Sequence, residues 1–138
     1  SNNKSSWLKE GNMPATHSLV GQTTTVGPFF SGDPAPALEF VFLWDGGGYV
    51  NLTGGSVNVI IRRWDIRRTQ PIGAIVTSGS AVIVDNETGR ANFSWNDASP
   101  VSTVPVDTGW YMGQAEVTFA DSTVQHTQRF IFEVLSPN

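Results

Sequence analysis

The feature that most constrains the fold is a series of short segments in which apolar and polar residues alternate, separated by glycine- and aspartate-rich turns. In the segment 56–63, Val57, Val59 and Ile61 face one side and polar or charged residues mostly the other. Such segments recur roughly every ten residues from Leu38 onward, and no window has the spacing of an amphipathic helix. The pattern predicts an all-β fold, and the single apolar face of most segments favours an antiparallel β-sandwich over a barrel. We expect seven to eight strands, at 38–43, 49–52, 56–63, 73–77, 80–85, 90–95, 109–120 and 124–135, with a Ser-Gly turn at 78–79.

The first 36 residues lack this alternation and are predicted to form an extended N-terminal arm, leaving 37–138 as the sandwich domain. Three prolines between 28 and 36 remove backbone donors and bias the preceding residues toward extended conformations. The arm carries four apolar residues that need a surface to lie against. We expect them to bury against another chain or against the side of the sandwich; they are Trp7, Leu8, Phe29 and Phe30.

Composition narrows the class of protein. A chain of 138 residues is long enough for one domain with its own core. It has no cysteine, which excludes disulfides and thiolate metal sites. The net charge of −4 disfavours a dedicated nucleic-acid binder. No apolar run approaches the ~20 residues that a spanning helix needs, and the N-terminal residues lack the apolar stretch of a signal peptide.

Three segments, taken in order, resemble a known family. They begin at Gly32 (GDPAPALEFVFLWDGGGYVNLTGGSVNVIIRR), Asp85 (DNETGRANFSW) and Asp107 (DTGWYMGQAEVTFADSTVQ). Their order is similar to that of the immunoglobulin-like domain at the N-terminus of tailed-phage baseplate upper proteins, with the best matches at 50–54 and 117–121. The resemblance covers about residues 32–135. The chain departs from the family pattern at Ser122, at 128–129 and in a longer insert at 64–72.

The resemblance implies an immunoglobulin-like sandwich that acts as a non-enzymatic structural component of a tailed-bacteriophage virion. It implies assembly in the bacterial host cytoplasm, contacts with other virion proteins in the tail or baseplate, and homo-oligomers in the particle. Two alternatives remain open. One is a capsid decoration or cement protein; the other is a carbohydrate-binding module for host attachment.

Candidate catalytic and metal-binding residues are sparse. The two histidines, His17 and His126, lie far apart in the sequence, and no nucleophile elbow, zinc-protease motif or phosphate loop is present. The acidic residues near 85–87, 107 and 121 fall where aspartate and glutamate commonly shape turns. We therefore predict no enzymatic activity, no metal and no cofactor.

Five tryptophans could provide stacking platforms for sugar rings. Trp95 shares the inward register of Phe93, so it is predicted to lie in the core. Trp44 and Trp110 adjoin turns and are the candidates for sugar contact.

The segment 62–68, RRWDIRR, contains half of the basic residues of the chain. Arginine and tryptophan are enriched at protein–protein hot spots, so we expect a protein interface here. A solvated loop with internal ion pairs and a nucleic-acid contact remain as alternatives, the latter opposed by the acidic balance and the interposed Asp65. The residues predicted at this interface are Arg62, Arg63, Trp64, Arg67 and Arg68.

Overall fold

The fold is all-β, as predicted. A computed structural model describes residues 19–25, 27–127 and 129–137, and for Gln22 the backbone alone. Within these ranges there is no α-helix, and one 3₁₀ turn, Trp95–Asp97, follows the sixth strand. The strands are β1 (Leu19–Thr23), β2 (Phe29–Phe30), β3 (Leu38–Trp44), β4 (Ser56–Asp65), β5 (Gln70–Asp85), β6 (Arg90–Phe93), β7 (Ala98–Ser99), β8 (Gly109–Thr118), β9 (Val124–His126) and β10 (Phe130–Leu135).

The strands form two sheets that share the long strand β5. One sheet runs β1-β3-β6-β5, and the other continues β5-β4-β8-β10-β2, with β7 beside β5 and β9 beside β8. Neighbouring strands are antiparallel except β2, which runs parallel to β10. The first sheet has the A-B-E-D order of an immunoglobulin-like sandwich, and β4, β8 and β10 correspond to C, F and G. The predicted immunoglobulin-like antiparallel β-sandwich is confirmed, and seven of the described strands have four or more residues.

The core lies between the two sheets, where the alternating residues meet. Val57, Val59 and Ile61 are buried as the alternation of β4 predicted. Trp95 is fully buried, packs edge-on against Phe93 and donates its indole N–H to the Pro36 carbonyl at 2.8 Å. The predicted inward position of this tryptophan is therefore confirmed, although it lies in the 3₁₀ turn and not in a strand.

The predicted turn at Ser78 and Gly79 is wrong, because β5 runs unbroken through both residues. At this point β5 pairs with β7, and a Cβ on Gly79 would lie 2.3 Å from the Asp97 carbonyl oxygen. Glycine here permits a close backbone approach instead of a reversal of the chain. Just beyond it, β5 leaves its partner β4 and pairs with β6, which carries the strand from one sheet to the other.

Two further strand predictions need correction. Residues 49–52 form no strand, only an isolated bridge between Leu43 and Tyr49, although Val50 and Leu52 are buried. The single predicted strand at 124–135 is divided into β9 and β10. Between them Thr127 bonds to Ala115 through its backbone N–H, and its hydroxyl accepts from the Ala115 N–H, so the chain stays attached to β8 without continuing the strand.

The described part of the predicted arm takes part in both sheets. β1 pairs with β3 along its whole length, and β2 pairs with the end of β10. Leu19 and Phe29 join the buried core. The boundary at residue 36 stays a prediction.

Candidate protein-binding surfaces

The arginine-rich segment forms the end of the β4–β5 hairpin. Residues 62–65 pair with residues of β5 between Gln70 and Ile75, and the register shifts on either side of Arg62 show a bulge. The tip spans residues 66–69, with Thr69 in the left-handed region at φ 52°. The segment is therefore a protruding hairpin and not an irregular loop.

Asp65 organises the tip. Its Oδ1 accepts hydrogen bonds from the backbone N–H groups of Arg67 (3.0 Å) and Arg68 (3.1 Å), and its Oδ2 lies 3.4 Å from the Arg68 guanidinium. The backbone bond from Arg68 is the main reason that the pKa of Asp65 is lowered from its ordinary value. These bonds fix the turn that carries the two outermost arginines.

The four arginines divide into two pairs with different roles. Arg62 donates to the Gly73 carbonyl within the hairpin, and Arg63 donates to the Tyr111 hydroxyl at 3.0 Å while its guanidinium lies 4.9 Å from the centre of that ring. Arg67 and Arg68 are exposed at the tip. The interface prediction for Arg62 and Arg63 is untested, but both have internal roles in this fold.

Arg63 supports a contact that the sequence analysis missed. Tyr111 lies near the start of β8. Its hydroxyl donates to the carbonyl of Asp107, 2.6 Å away and four residues upstream, in the loop before β8. This is the tyrosine corner of immunoglobulin-like sandwiches, which ties the loop before strand F to that strand. The sequence signal for this contact was a tyrosine that lies four residues after an aspartate, at the start of an alternating strand.

The hairpin that carries the basic tip also has exposed apolar side chains. Ile66, Ile72 and Ile75 are 48%, 49% and 50% exposed, although isoleucine is among the residues most often buried. Trp64 is half-buried beneath Arg129, whose guanidinium carbon lies 5.8 Å from its ring centre. The hairpin thus exposes isoleucines at its tip and along β5, in addition to Arg67 and Arg68 at the tip. We call Ile66, Arg67, Arg68, Ile72 and Ile75 the tip surface.

The two tryptophans proposed for sugar contact have different environments. Trp44 is buried and stacks on Phe119, with ring centres 5.7 Å apart, so its faces are not available to a ligand. Trp110 is half-buried and lines a cleft between the two sheets. Only Trp110 of this pair could contact a ligand without rearrangement.

This cleft, of about 390 Å³, lies between the segment that follows β1 and the outer edge of β10. Phe29, Leu38 and Phe132 are buried side chains that form its base. Ile131 and Trp110 also line it. We call it the β10 groove.

The four apolar arm residues are divided by the structure. Phe29 is in the core, where its ring centre lies 5.0 Å from that of Phe132, and Phe30 is half-buried. Phe29 therefore buries against the sandwich itself, one of the two expected outcomes. Trp7 and Leu8 lie outside the described residues.

Among the acidic residues considered for catalysis or metal binding, Asp85 and Asp121 accept hydrogen bonds within their own turns. Asp85 accepts from the backbone N–H groups of Glu87 and Thr88, and hydrogen bonding from Thr88 is the main cause of its lowered pKa. Asp121 accepts from the Thr123 hydroxyl, which lowers its pKa in the same way. His126 lies 2.9 Å from Glu116. His17 lies outside the described residues.

Between residues 19 and 137, leaving out 26 and 128, no three histidine, aspartate or glutamate side chains are grouped so that they could hold a metal ion. In the same part of the chain, no helix has the length and apolar character needed to cross a membrane.

Comparison with known proteins gives little similarity. No family model matches the chain, and no curated protein matches it. Among solved structures it is similar to the crystal structure of CopC from Methylosinus trichosporium OB3b, at 14% identity and a TM-score of 0.46, over 88% of this chain and 96% of that one. The resemblance to the baseplate upper protein family is therefore wrong: the sequence segments that suggested it are strand and turn patterns that unrelated sandwiches share.

Proposed function

We propose that this protein is a non-enzymatic assembly module that binds a protein partner through the tip surface. The observation that carries the proposal is that one hydrogen-bonded hairpin carries three half-exposed isoleucines, Ile66 at its tip and Ile72 and Ile75 on β5, together with two exposed arginines at the tip. Arginine gives charged, directional contacts and is enriched at hot spots, and the isoleucines give apolar area to bury. A paired hairpin also holds these groups in place before binding, which lowers the entropy cost of association.

The distribution of charge favours a second copy of the chain as the partner. Residues 62–68 hold four of the eight basic residues and one of the twelve acidic residues, a net charge of +3. The net charge of the whole chain is −4, so the remainder of the chain carries a net charge of −7. A basic tip and an acidic body attract each other in a head-to-tail arrangement, which generates rings or filaments.

The rival functions have less support. Nucleic-acid binding needs several free cations, and the internal contacts of Arg62 and Arg63 leave Arg67 and Arg68 as the exposed pair of the segment. Sugar binding has less support because Trp44, one of its two candidate residues, is buried in the core. The virion setting, whether tail, baseplate or capsid, stays a prediction that nothing tests, and it no longer has the family resemblance on which it depended.

The proposal is tested with the double substitution Arg67→Ala/Arg68→Ala. We expect the dissociation constant for self-association to rise by about tenfold or more, equivalent to about 1.4 kcal/mol, because both exposed cations of the tip are lost. Sedimentation velocity over a range of protein concentrations measures the constant. Raising the salt concentration should weaken the wild-type association, since the attraction is between exposed charges.

Arg90→Ala is the matched control, because Arg90 is an exposed arginine on β6, away from the tip. It should leave the dissociation constant within about twofold of wild type. A second variant, Ile72→Ser, tests the apolar part of the tip surface and should also weaken association. A wild-type chain that stays monomeric at every concentration, or an equal effect from Arg90→Ala, would show that copies of the chain do not assemble through the tip.

A further inference from the structure

The β10 groove contains a carboxylate beside an aromatic ring. Glu133 and Trp110 are directly opposite one another in the β8–β10 pair, so both side chains lie on the same face of the sheet, with Cβ atoms about 4.5–5.5 Å apart. Both line the groove, where Glu133 is exposed and Trp110 half-buried. This combination recognises a guanidinium group, which forms paired hydrogen bonds with a carboxylate and stacks on an indole face.

The Glu133 carboxylate has no partner in the part of the chain that the structure describes. No hydrogen bond or ion pair there involves this side chain. Of the described residues that line the groove, Glu133 alone is charged, and most of the others are apolar. An occupant that complements the groove therefore needs one cation on an apolar stem, which is the chemistry of an arginine side chain.

The tip surface presents a cation that also lacks a partner. Arg67 and Arg68 are both exposed, but the Arg68 guanidinium already lies 3.4 Å from Asp65. Among the described residues, the Arg67 guanidinium has no hydrogen bond or ion pair, and only the backbone N–H of Arg67 is bonded to Asp65. The bonds to Asp65 fix the backbone of the turn, so Arg67 is presented from a defined position.

The tip of one copy does not occupy the groove of that same copy. β8 lies between β4, which leads into the tip, and β10, which forms the groove. Residues 66–69, all of them described, do not line the groove. The pairing of β4 with β5 continues to Asp65 and Gln70 and holds the tip in this position. A contact between Arg67 and Glu133 therefore joins two copies of the chain.

We propose that the β10 groove is the receptor for the tip surface of a second copy, with Arg67 stacked on Trp110 and paired with Glu133. This inference rests on the proposed function, self-association through the tip, and identifies the acidic site to which the tip binds. The aliphatic stem of Arg67 covers the apolar lining of the groove, while its guanidinium stays at the exposed carboxylate. Each copy offers one tip and one groove, as a head-to-tail arrangement requires.

Charge reversal in the full chain tests this pair. Arg67→Glu and Glu133→Arg each place like charges at the contact, so each should raise the dissociation constant for self-association by about tenfold or more. The double variant Arg67→Glu/Glu133→Arg restores opposite charges, and its constant should return to within about threefold of wild type. Sedimentation velocity measures the constants, and circular dichroism checks that each variant is folded.

The matched control is Arg67→Glu/Glu87→Arg, which has the same net charge as the other double variant. Glu87 is an exposed glutamate in the turn after β5, at the opposite end of that strand from the tip. This control should remain as weak in association as Arg67→Glu alone. A mixture of the two single variants, Arg67→Glu and Glu133→Arg, should associate, because the tip of each is opposite in charge to the groove of the other.

Two results would show that the groove is not the receptor. One is an unchanged dissociation constant in Glu133→Arg; the other is a control that recovers as fully as the Arg67→Glu/Glu133→Arg variant. Either result leaves the tip proposal standing if Arg67→Ala/Arg68→Ala still weakens association. A wild-type chain that stays monomeric would overturn both proposals.

Discussion

Replacing Tyr111 by phenylalanine isolates the hydrogen bonds of the tyrosine corner. The hydroxyl donates to the Asp107 carbonyl at 2.6 Å and accepts from the Arg63 guanidinium at 3.0 Å. Phenylalanine removes both bonds but keeps the ring, which is buried and stacks on Phe132 with ring centres 5.8 Å apart. The change therefore tests polar contacts with little change in packing.

The expected loss of stability follows from these two bonds. A neutral hydrogen bond contributes about 0.5–1.5 kcal/mol, and one to a charged group about 1.5–3 kcal/mol. Arg63 is only half-buried, so water replaces part of its lost contact. We expect the free energy of unfolding to fall by about 2 kcal/mol. With a urea m-value of about 2 kcal/mol/M, the midpoint of unfolding should fall by about 1 M.

The measurement is equilibrium urea unfolding of Tyr111→Phe and of the control Tyr49→Phe, whose side chain is exposed. The free energy of unfolding of the control should lie within about 0.3 kcal/mol of the wild-type value. A double-mutant cycle with Arg63→Met then measures the coupling between Arg63 and the hydroxyl, which we expect to be about 0.5–1.5 kcal/mol. If Tyr111→Phe is as stable as wild type, the corner does not hold the loop to β8 and the reasoning is wrong.

Two further changes in stability are expected. Ser122→Gly should raise the free energy of unfolding by about 0.5–1 kcal/mol, because Ser122 is in the left-handed region at φ 74°. Glycine relieves the backbone strain at this position, and this gain exceeds the entropy that glycine adds to the unfolded chain. Urea unfolding measures the change, and a variant less stable than wild type would contradict this prediction. The pKa values of Asp65, Asp85 and Asp121 are lowered in the folded chain, in each case first by a hydrogen bond within its own turn. Their contribution to stability is therefore present above the unfolded pKa, near pH 4, and is lost as the pH falls through the lower folded values. Thermal unfolding between pH 6 and pH 2 should show this decline, and replacing all three aspartates by asparagine should make it shallower.

Local sequence pattern was sufficient to predict the class of fold and part of the core. Alternation has a period of two, which depends only on the geometry of a strand, so Val57, Val59 and Ile61 could be assigned to the interior before the partner sheet was known. The same reasoning placed Trp95 inside. It failed at Gly79, because a glycine that allows two backbones to approach has the same sequence appearance as a glycine in a turn.

The candidate surfaces depended on contacts between residues far apart in the chain. Arg63 and Arg67 are the same residue type four positions apart. Arg63 is half-buried and donates a hydrogen bond to Tyr111, 48 residues later in the chain, while Arg67 is exposed. The β10 groove likewise forms only where the segment after β1 meets β10, about a hundred residues later in the sequence. The sequence by itself determined which residues alternate and therefore which face the core. Only the tertiary structure decided which arginines are exposed and where the β10 groove forms, because these depend on the neighbours that folding brings together.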